Sequence, residues 1–270
     1  KSGFVDESKD SLRKIISNYK ISPVYRKAYR KLLEIGKGGD VTTALSDYDY
    51  YLKEFPHDSA ALWDKTDLLV KMGKRDEVSA LWRELFFSGS PYAFKAYEEL
   101  RKKNYRLSYD DVMRAAQRLT EKEQFGQVAR LLEVVSPQDE DSKYLLGKAY
   151  FRLRRYRDVI KTLAGTSSGD GKYMFGLSLV RANEKDAFYR FIGGLQRERQ
   201  KEFFSLHILT AELKRREGNV TEAGAIYQTM LDLYPEKTEE KREEQNRTEQ
   251  TGLSRKSPGL VPDRRRTKKK

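Results

Sequence analysis

Apolar positions recur along the chain at helical spacing and are interrupted at regular intervals by short breaks. Ala28, Leu32 and Ile35 precede Gly38-Gly39, and Ala44, Tyr48, Tyr51 and Leu52 follow it, the one-faced pattern of two amphipathic helices joined by a turn. Pro56 closes the second helix. Six such copies are legible. The best pair is Gly39-Asp40-Val41, Ala44, Tyr48, Tyr51, Pro56 and Gly218-Asn219-Val220, Ala223, Tyr227, Met230, Pro235. The step from Gly39 to Gly73 is about 34 residues, the period of a helix-turn-helix repeat. Neither helix of a copy can bury its apolar face alone, so the pattern predicts an all-α chain of stacked antiparallel helix pairs.

The second copy runs through Leu62, Leu69, Gly73, Val78, Trp82 and Leu85, the third through Ala115, Ala116, Leu119, Phe125, Val128 and Leu132, and the fourth through Leu146-Gly147, Tyr150, Tyr156, Val159 and Leu163. Between the second and third lies an additional amphipathic stretch, residues 91–103, with Pro91 placed to start a helix. Ser108 has the character of an N-cap, with Asp110 and Asp111 in the first turn, where the helix dipole favours carboxylates. The fifth copy retains Phe175-Gly176, Leu179 and Ala182, and Gly193-Gly194 is expected to interrupt its second helix. The sixth, residues 203–234, is regular again.

Residues 25–235 resemble a divergent tetratricopeptide-type α-solenoid. Within that class the order of elements is similar to the N-terminal superhelical part of bacterial soluble lytic transglycosylases, on Leu81-Trp82-Arg83-Glu84-Leu85 with Ser90-Pro91-Tyr92-Ala93, on Leu107-Ser108-Tyr109-Asp110, and on Glu222-Ala223-Gly224-Ala225-Ile226-Tyr227 with Leu233-Tyr234-Pro235. The resemblance implies a cell-wall protein of the periplasm or envelope with peptidoglycan as partner. It also implies a separate catalytic domain carrying a Glu-Ser pair and a glycine-rich stretch. Here the one Glu-Ser, Glu7-Ser8, precedes the repeats without those companions, so no catalytic role passes to it. Residues 1–24 read as a partly helical lead-in. Residues 236–270 are too poor in apolar residues to offset chain entropy and are expected to be a disordered charged tail with a solvated helix near 239–249. The abrupt change after Pro235 raises the expectation of truncation or a frame change.

Of 270 residues, 38% are hydrophobic and 35% charged, which suits one elongated repeat array better than two globules. The absence of cysteine removes disulfides, thiolate metal sites and thiol catalysis. No apolar run approaches the roughly 18 residues of a membrane span. The net charge of +13 is unevenly spread: residues 250–270 hold eight Lys and Arg against Asp263 alone, which is +7 of the total. Arg264-Arg265-Arg266 and Lys268-Lys269-Lys270 are suited to weak, salt-sensitive phosphate contacts, and the body is of mixed charge.

Enzyme chemistry finds little support. His57 follows Pro56 in a loop and His207 opens a helix; they read as surface or packing residues, not as an acid–base pair. Gly38-Gly39 and Gly193-Gly194 lack the lysine spacing of a phosphate loop. Asn219-Val220-Thr221 and Asn246-Arg247-Thr248 match the common glycosylation triplet. No cofactor or metal is expected.

Function therefore falls on a surface. In helix-pair arrays of this kind the first helix of each pair lines the concave side, and the register selects Tyr29, Trp63, Asp67, Lys71, Met113, Gln117, Tyr144, Lys148, Arg152, Tyr173, Arg181 and Arg215 as a candidate binding face. Aromatic faces there suit apolar ligand surfaces, and Lys or Arg suit carboxylates. Three readings follow: a non-catalytic scaffold of the lytic-transglycosylase kind, a general tetratricopeptide adaptor for protein partners in the cytoplasm or periplasm, and a basic-tailed nucleic-acid-associated protein.

Overall fold

The computed structural model describes residues 2–20, 22–195 and 203–233. The expected charged tail, the second glycosylation triplet and the basic clusters lie outside the described residues. Fourteen α-helices and no strand occur among the described residues: α1 (Ser2–Asn18), α2 (Pro23–Gly36), α3 (Val41–Glu54), α4 (Ser59–Lys71), α5 (Arg75–Phe87), α6 (Ala93–Lys102), α7 (Tyr109–Glu121), α8 (Phe125–Val135), α9 (Glu140–Arg152), α10 (Tyr156–Leu163), α11 (Gly169–Arg181), α12 (Lys185–Leu195), α13 (Phe204–Arg216) and α14 (Val220–Leu233). Contacts divide the chain into two compact units, one ending at Ser178 and one starting at Leu179.

In the first unit each helix packs on the next from α1 through α6 and again from α7 through α10, and α5, α6 and α7 also meet α7, α8 and α9 respectively. That second-neighbour contact is what makes the pairs a stack. Its core is continuous, running from Tyr25, Tyr29 and Leu33 through Tyr48, Tyr51, Leu69, Trp82 and Phe86 to Leu119, Leu132, Tyr150 and Leu163. The residues read from periodicity supply most of it. Gly147 shows why a small residue stands beside large ones: a Cβ there would lie 2.8 Å from Leu163 Cγ. In the second unit α12 packs on α13 and α13 on α14, with Phe188, Ile192, Leu206, Ala211 and Met230 buried.

Helix starts follow the chemistry of their caps. Ser108 and Asp111 form a reciprocal capping box at α7, as do Asp139 and Ser142 at α9, each satisfying two backbone donors that the first turn leaves open. Asp40 caps α3 through Thr43 N, and Asp58 caps α4 through Ala61 N.

Helix ends share a second device. At Gly73, Asn104, Glu123, Arg154, Asn183 and Gly218 the backbone is left-handed, with φ between 55° and 86°. In each case the next residue's N–H reaches back five positions to a carbonyl, as Lys74 N does to Leu69 O at 3.0 Å, Gln124 N to Leu119 O at 2.8 Å and Arg155 N to Tyr150 O at 2.8 Å. This is the Schellman closure that satisfies the last carbonyls of a helix and turns the chain into the next. Only two of the six carry glycine.

Two expectations are corrected. The additional helix α6 starts at Ala93, two residues after Pro91, because its N-terminus is satisfied from elsewhere: Ser90 Oγ accepts from Tyr92 N at 3.2 Å, and Gln127 on α8 accepts from Phe94 N at 3.0 Å while donating to Ser90 O at 3.2 Å. Gly193-Gly194 does not interrupt the second helix of the fifth copy, since α12 runs through both glycines. Each costs about 1 kcal/mol relative to alanine, and burial of Phe188, Ile192 and Leu195 on the opposite face, at roughly 1.5–3 kcal/mol per large side chain, exceeds it.

Candidate functional site

Alpha-helical spacing places Trp63, Asp67 and Val70 on one face of α4 at i, i+4 and i+7, opposite the face that buries Ala61, Leu68 and Leu69. The left-handed turn at Gly73 then folds α5 back so that Arg75, Val78, Ser79 and Trp82 form a second wall, and α6 closes the third side with Glu99 and Lys103. Together they bound a cleft of about 720 Å³, a volume typical of ligand-binding clefts.

Both tryptophans of the chain line it. Trp63 is half-buried and stacks on Tyr92, with ring centroids 5.5 Å apart and planes within 17°; Lys95 Nζ sits 5.8 Å from the Trp63 ring and 5.6 Å from that of Tyr92. This cation over paired rings holds the Trp63 side chain in place. Trp82 is only 5% exposed, and its indole N–H is buried without a hydrogen-bond partner. Native proteins seldom leave such a donor unmet. Val70 is 55% exposed, an apolar side chain held in water at the lip of an aromatic cleft.

Charge in the cleft is of both signs. Asp67 has no ion-pair partner among the described residues, and desolvation pushes its carboxyl above the usual range; Lys37 and Lys71 oppose that shift, while Asp64 and Glu99 add to it. Glu99 is held by Lys102 at 2.5 Å. Arg75 and Lys103 are exposed. The arrangement is suited to holding an amphoteric, partly apolar guest. Among the described residues no cluster of His, Asp and Glu could hold a metal ion, and no helix is long and apolar enough to cross a membrane.

The remaining candidate residues scatter. Tyr29 is a core residue, 6% exposed, with its ring edge-on to Tyr25 at 6.0 Å and to Tyr51 at 5.1 Å, so burial withdraws it from any ligand. Lys71 is exposed at the end of α4, Met113 packs half-buried on the core, and Gln117 is exposed on α7. The Tyr144 hydroxyl donates to Asp170 at 3.4 Å. Arg152 pairs with Glu123 at 3.0 Å and covers the Phe125 ring at 4.8 Å, so its charge and its flat face are both engaged within the chain. Lys148 and Tyr173 are half-buried on α9 and α11, and Arg181 and Arg215 are exposed in the second unit. His57 is exposed and His207 is buried.

Trp63 and Asp67 thus share this cleft, and Val70, Glu99 and Lys103 are members that periodicity did not single out. Val70 was within reach, since it continues the i, i+4, i+7 stripe. Trp82 was legible only as a packing residue, because its second role depends on which helix faces it.

No family model matches the chain, and no curated protein matches it. Among solved structures, it is similar to the C-terminal part of a TPR repeat-containing protein from Cytophaga hutchinsonii, at 14% identity and TM-score 0.40 over 87% of this chain and 92% of that one. It is also similar to a tetratricopeptide repeat protein from Parabacteroides merdae, at 12% and 0.31 over 86% and 88%. A third is YrrB, described as a TPR protein with an unusual peptide-binding site, at 12% and 0.34 over 84% and 94%. The helical-repeat architecture is set by the helix pairs and their repeated left-handed turns.

Proposed function

We propose that the chain is a non-catalytic helical-repeat scaffold that binds an extended segment of a protein partner in the cleft between α4, α5 and α6. The observation that carries this reading is the concentration of both tryptophans, the exposed Val70 and the unpaired Asp67 around one cleft. Aromatic anchors in concave sites dominate protein recognition. The lining offers an apolar wall for a side chain, and carboxylates and cations for a mixed-charge segment. Charges of both signs favour a peptide over a polyanion.

Because the chain has no other tryptophan, intrinsic fluorescence reports occupancy directly. Acetylated and amidated hexapeptides alternating leucine with lysine or glutamate should shift the emission in a saturable way, and Trp63→Ala should weaken binding at least tenfold without changing the far-ultraviolet circular dichroism. If no peptide of the set alters the emission up to roughly 1 mM, where binding energy has fallen to about 4 kcal/mol, the reading fails. The cell-wall scaffold implied by the sequence resemblance is the narrower proposal, with a glycan strand stacking on the same aromatic wall. A soluble muropeptide in the same titration is its test, and emission unchanged by the muropeptide but moved by peptides would leave only the adaptor.

A further inference from the structure

A second cleft lies wholly within the second unit, between α12, α13 and α14. It has a volume of about 280 Å³, and its lining includes Ile192, His207, Thr210, Ile226 and Met230. His207 is 2% exposed, and its Nε2 is buried without a hydrogen-bond partner. The charged residues on the lining are already committed: Lys214 pairs with Glu222 at 3.1 Å and lies 4.2 Å over the Tyr189 ring, and the Tyr189 hydroxyl donates to Glu217 at 3.1 Å. Thr210 donates its hydroxyl to Leu206 O at 2.8 Å, which leaves that oxygen able to accept.

A buried imidazole nitrogen beside open space normally finds a partner in protein or water. One water would meet Nε2 and leave the Ile192, Ile226 and Met230 side of this open cleft wetted, and an apolar body laid against that side removes its surface from water. A guest that satisfies both conditions is apolar in body and carries one group able to hydrogen-bond. Neutral imidazole Nε2 donates in one tautomer and accepts in the other, and a hydroxyl complements either.

We infer that the α12–α14 cleft is a binding site for a small neutral hydroxylated hydrophobe of about the size of a phenol, held by His207 Nε2 at its hydroxyl and by Ile192, Ile226 and Met230 along its body. The site is separate from the cleft of the first unit and does not depend on the function proposed for it.

The chain holds two histidines, so their imidazole resonances are separable by one substitution. Titration of the full chain with 4-methylphenol, followed by imidazole ¹H–¹⁵N correlation spectra, should move the His207 signals to saturation and leave those of His57 in place. Toluene, which has the same body without the hydroxyl, should bind about tenfold more weakly, the scale of one lost hydrogen bond. In His207→Phe the two compounds should bind alike. Unmoved His207 signals would identify the cleft as a water site and overturn the inference, as would equal affinities for the two compounds in the unsubstituted chain. That last comparison needs no variant, so a His207→Phe protein that failed to fold would not rescue the inference.

Discussion

Replacing Asp58 by alanine should be among the most damaging single changes in the first unit, because one carboxylate joins three helices. Asp58 is buried at the start of α4. It accepts from Ala61 N at 3.1 Å, from the Tyr51 hydroxyl on α3 at 2.6 Å and from Arg26 on α2 at 3.0 Å, with Arg30 at 3.9 Å. Loss of the helix cap costs about 1 kcal/mol. Loss of the charged acceptor for Tyr51, which is fully buried, costs about 1.5–3 kcal/mol, and the neighbouring Arg26 Nε at 3.4 Å is itself a donor and a poor replacement. The Arg26 side chain is 56% exposed, so solvent screening holds its ion pair below about 1 kcal/mol. Asp58→Ala should therefore lose about 3–4 kcal/mol in urea unfolding at pH 7, read by fluorescence, since both tryptophans lie in this unit. Burial alone would raise the Asp58 carboxyl, but hydrogen bonds from Tyr51, Ala61 N and Arg26, with the charge of Arg30, hold it below the usual range. A depressed folded-state value means that this stability is present above the unfolded carboxylate pKa of about 3.9 and is lost as pH falls through the lower folded value. The gap between the two proteins should accordingly narrow only below about pH 4. A loss under about 1 kcal/mol at pH 7, or a gap already closing at pH 6, would refute the assignment of Asp58 as an ionised tie between copies.

Two further outcomes follow from the turns and from the second unit. Arg154→Gly should raise stability by about 0.5–1 kcal/mol, because relief of a left-handed non-glycine residue exceeds the entropy that glycine adds to the unfolded chain; a lower melting temperature would contradict it. Burial lowers the His207 pKa, so the neutral imidazole belongs to the folded state: its stability is complete above the unfolded value of about 6.5 and is lost as pH falls through the folded value. Protection factors of the α13 amides, taken relative to intrinsic exchange at each pH, should therefore fall from pH 7 to 5 by more than they do in His207→Leu, and an identical fall in the two would remove the claim.

What was legible in the amino-acid order, and what was not, divides along the range of the forces involved. Helix pairs were visible because a 3.6-residue apolar stripe and its breaks are local: Ala44, Tyr48 and Tyr51, or Leu146, Tyr150 and Val159, could bury their faces only as helices against helices. The cap at Ser108 belongs to the same class, since a side-chain oxygen and the backbone N–H it satisfies lie three residues apart. Glycine marked the left-handed closures at Gly73 and Gly218; the same closures at Asn104 and Asn183 use the residue that tolerates a left-handed backbone next best, and those at Glu123 and Arg154 run against intrinsic preference. Tyr29 and Trp82 show the same limit for side chains. A stripe predicts which residues leave water without saying which of them also border a cleft, so Tyr29 lies wholly in the core while Trp82, equally buried, backs the cleft wall. The cleft itself spans Trp63 to Lys103 across three helices, and the start of the third, α6, is hydrogen-bonded by Gln127 of α8. Order along the chain determined the helices and their pairing; docking between helices, where contacts join residues dozens of positions apart, decided which of their faces meet solvent together.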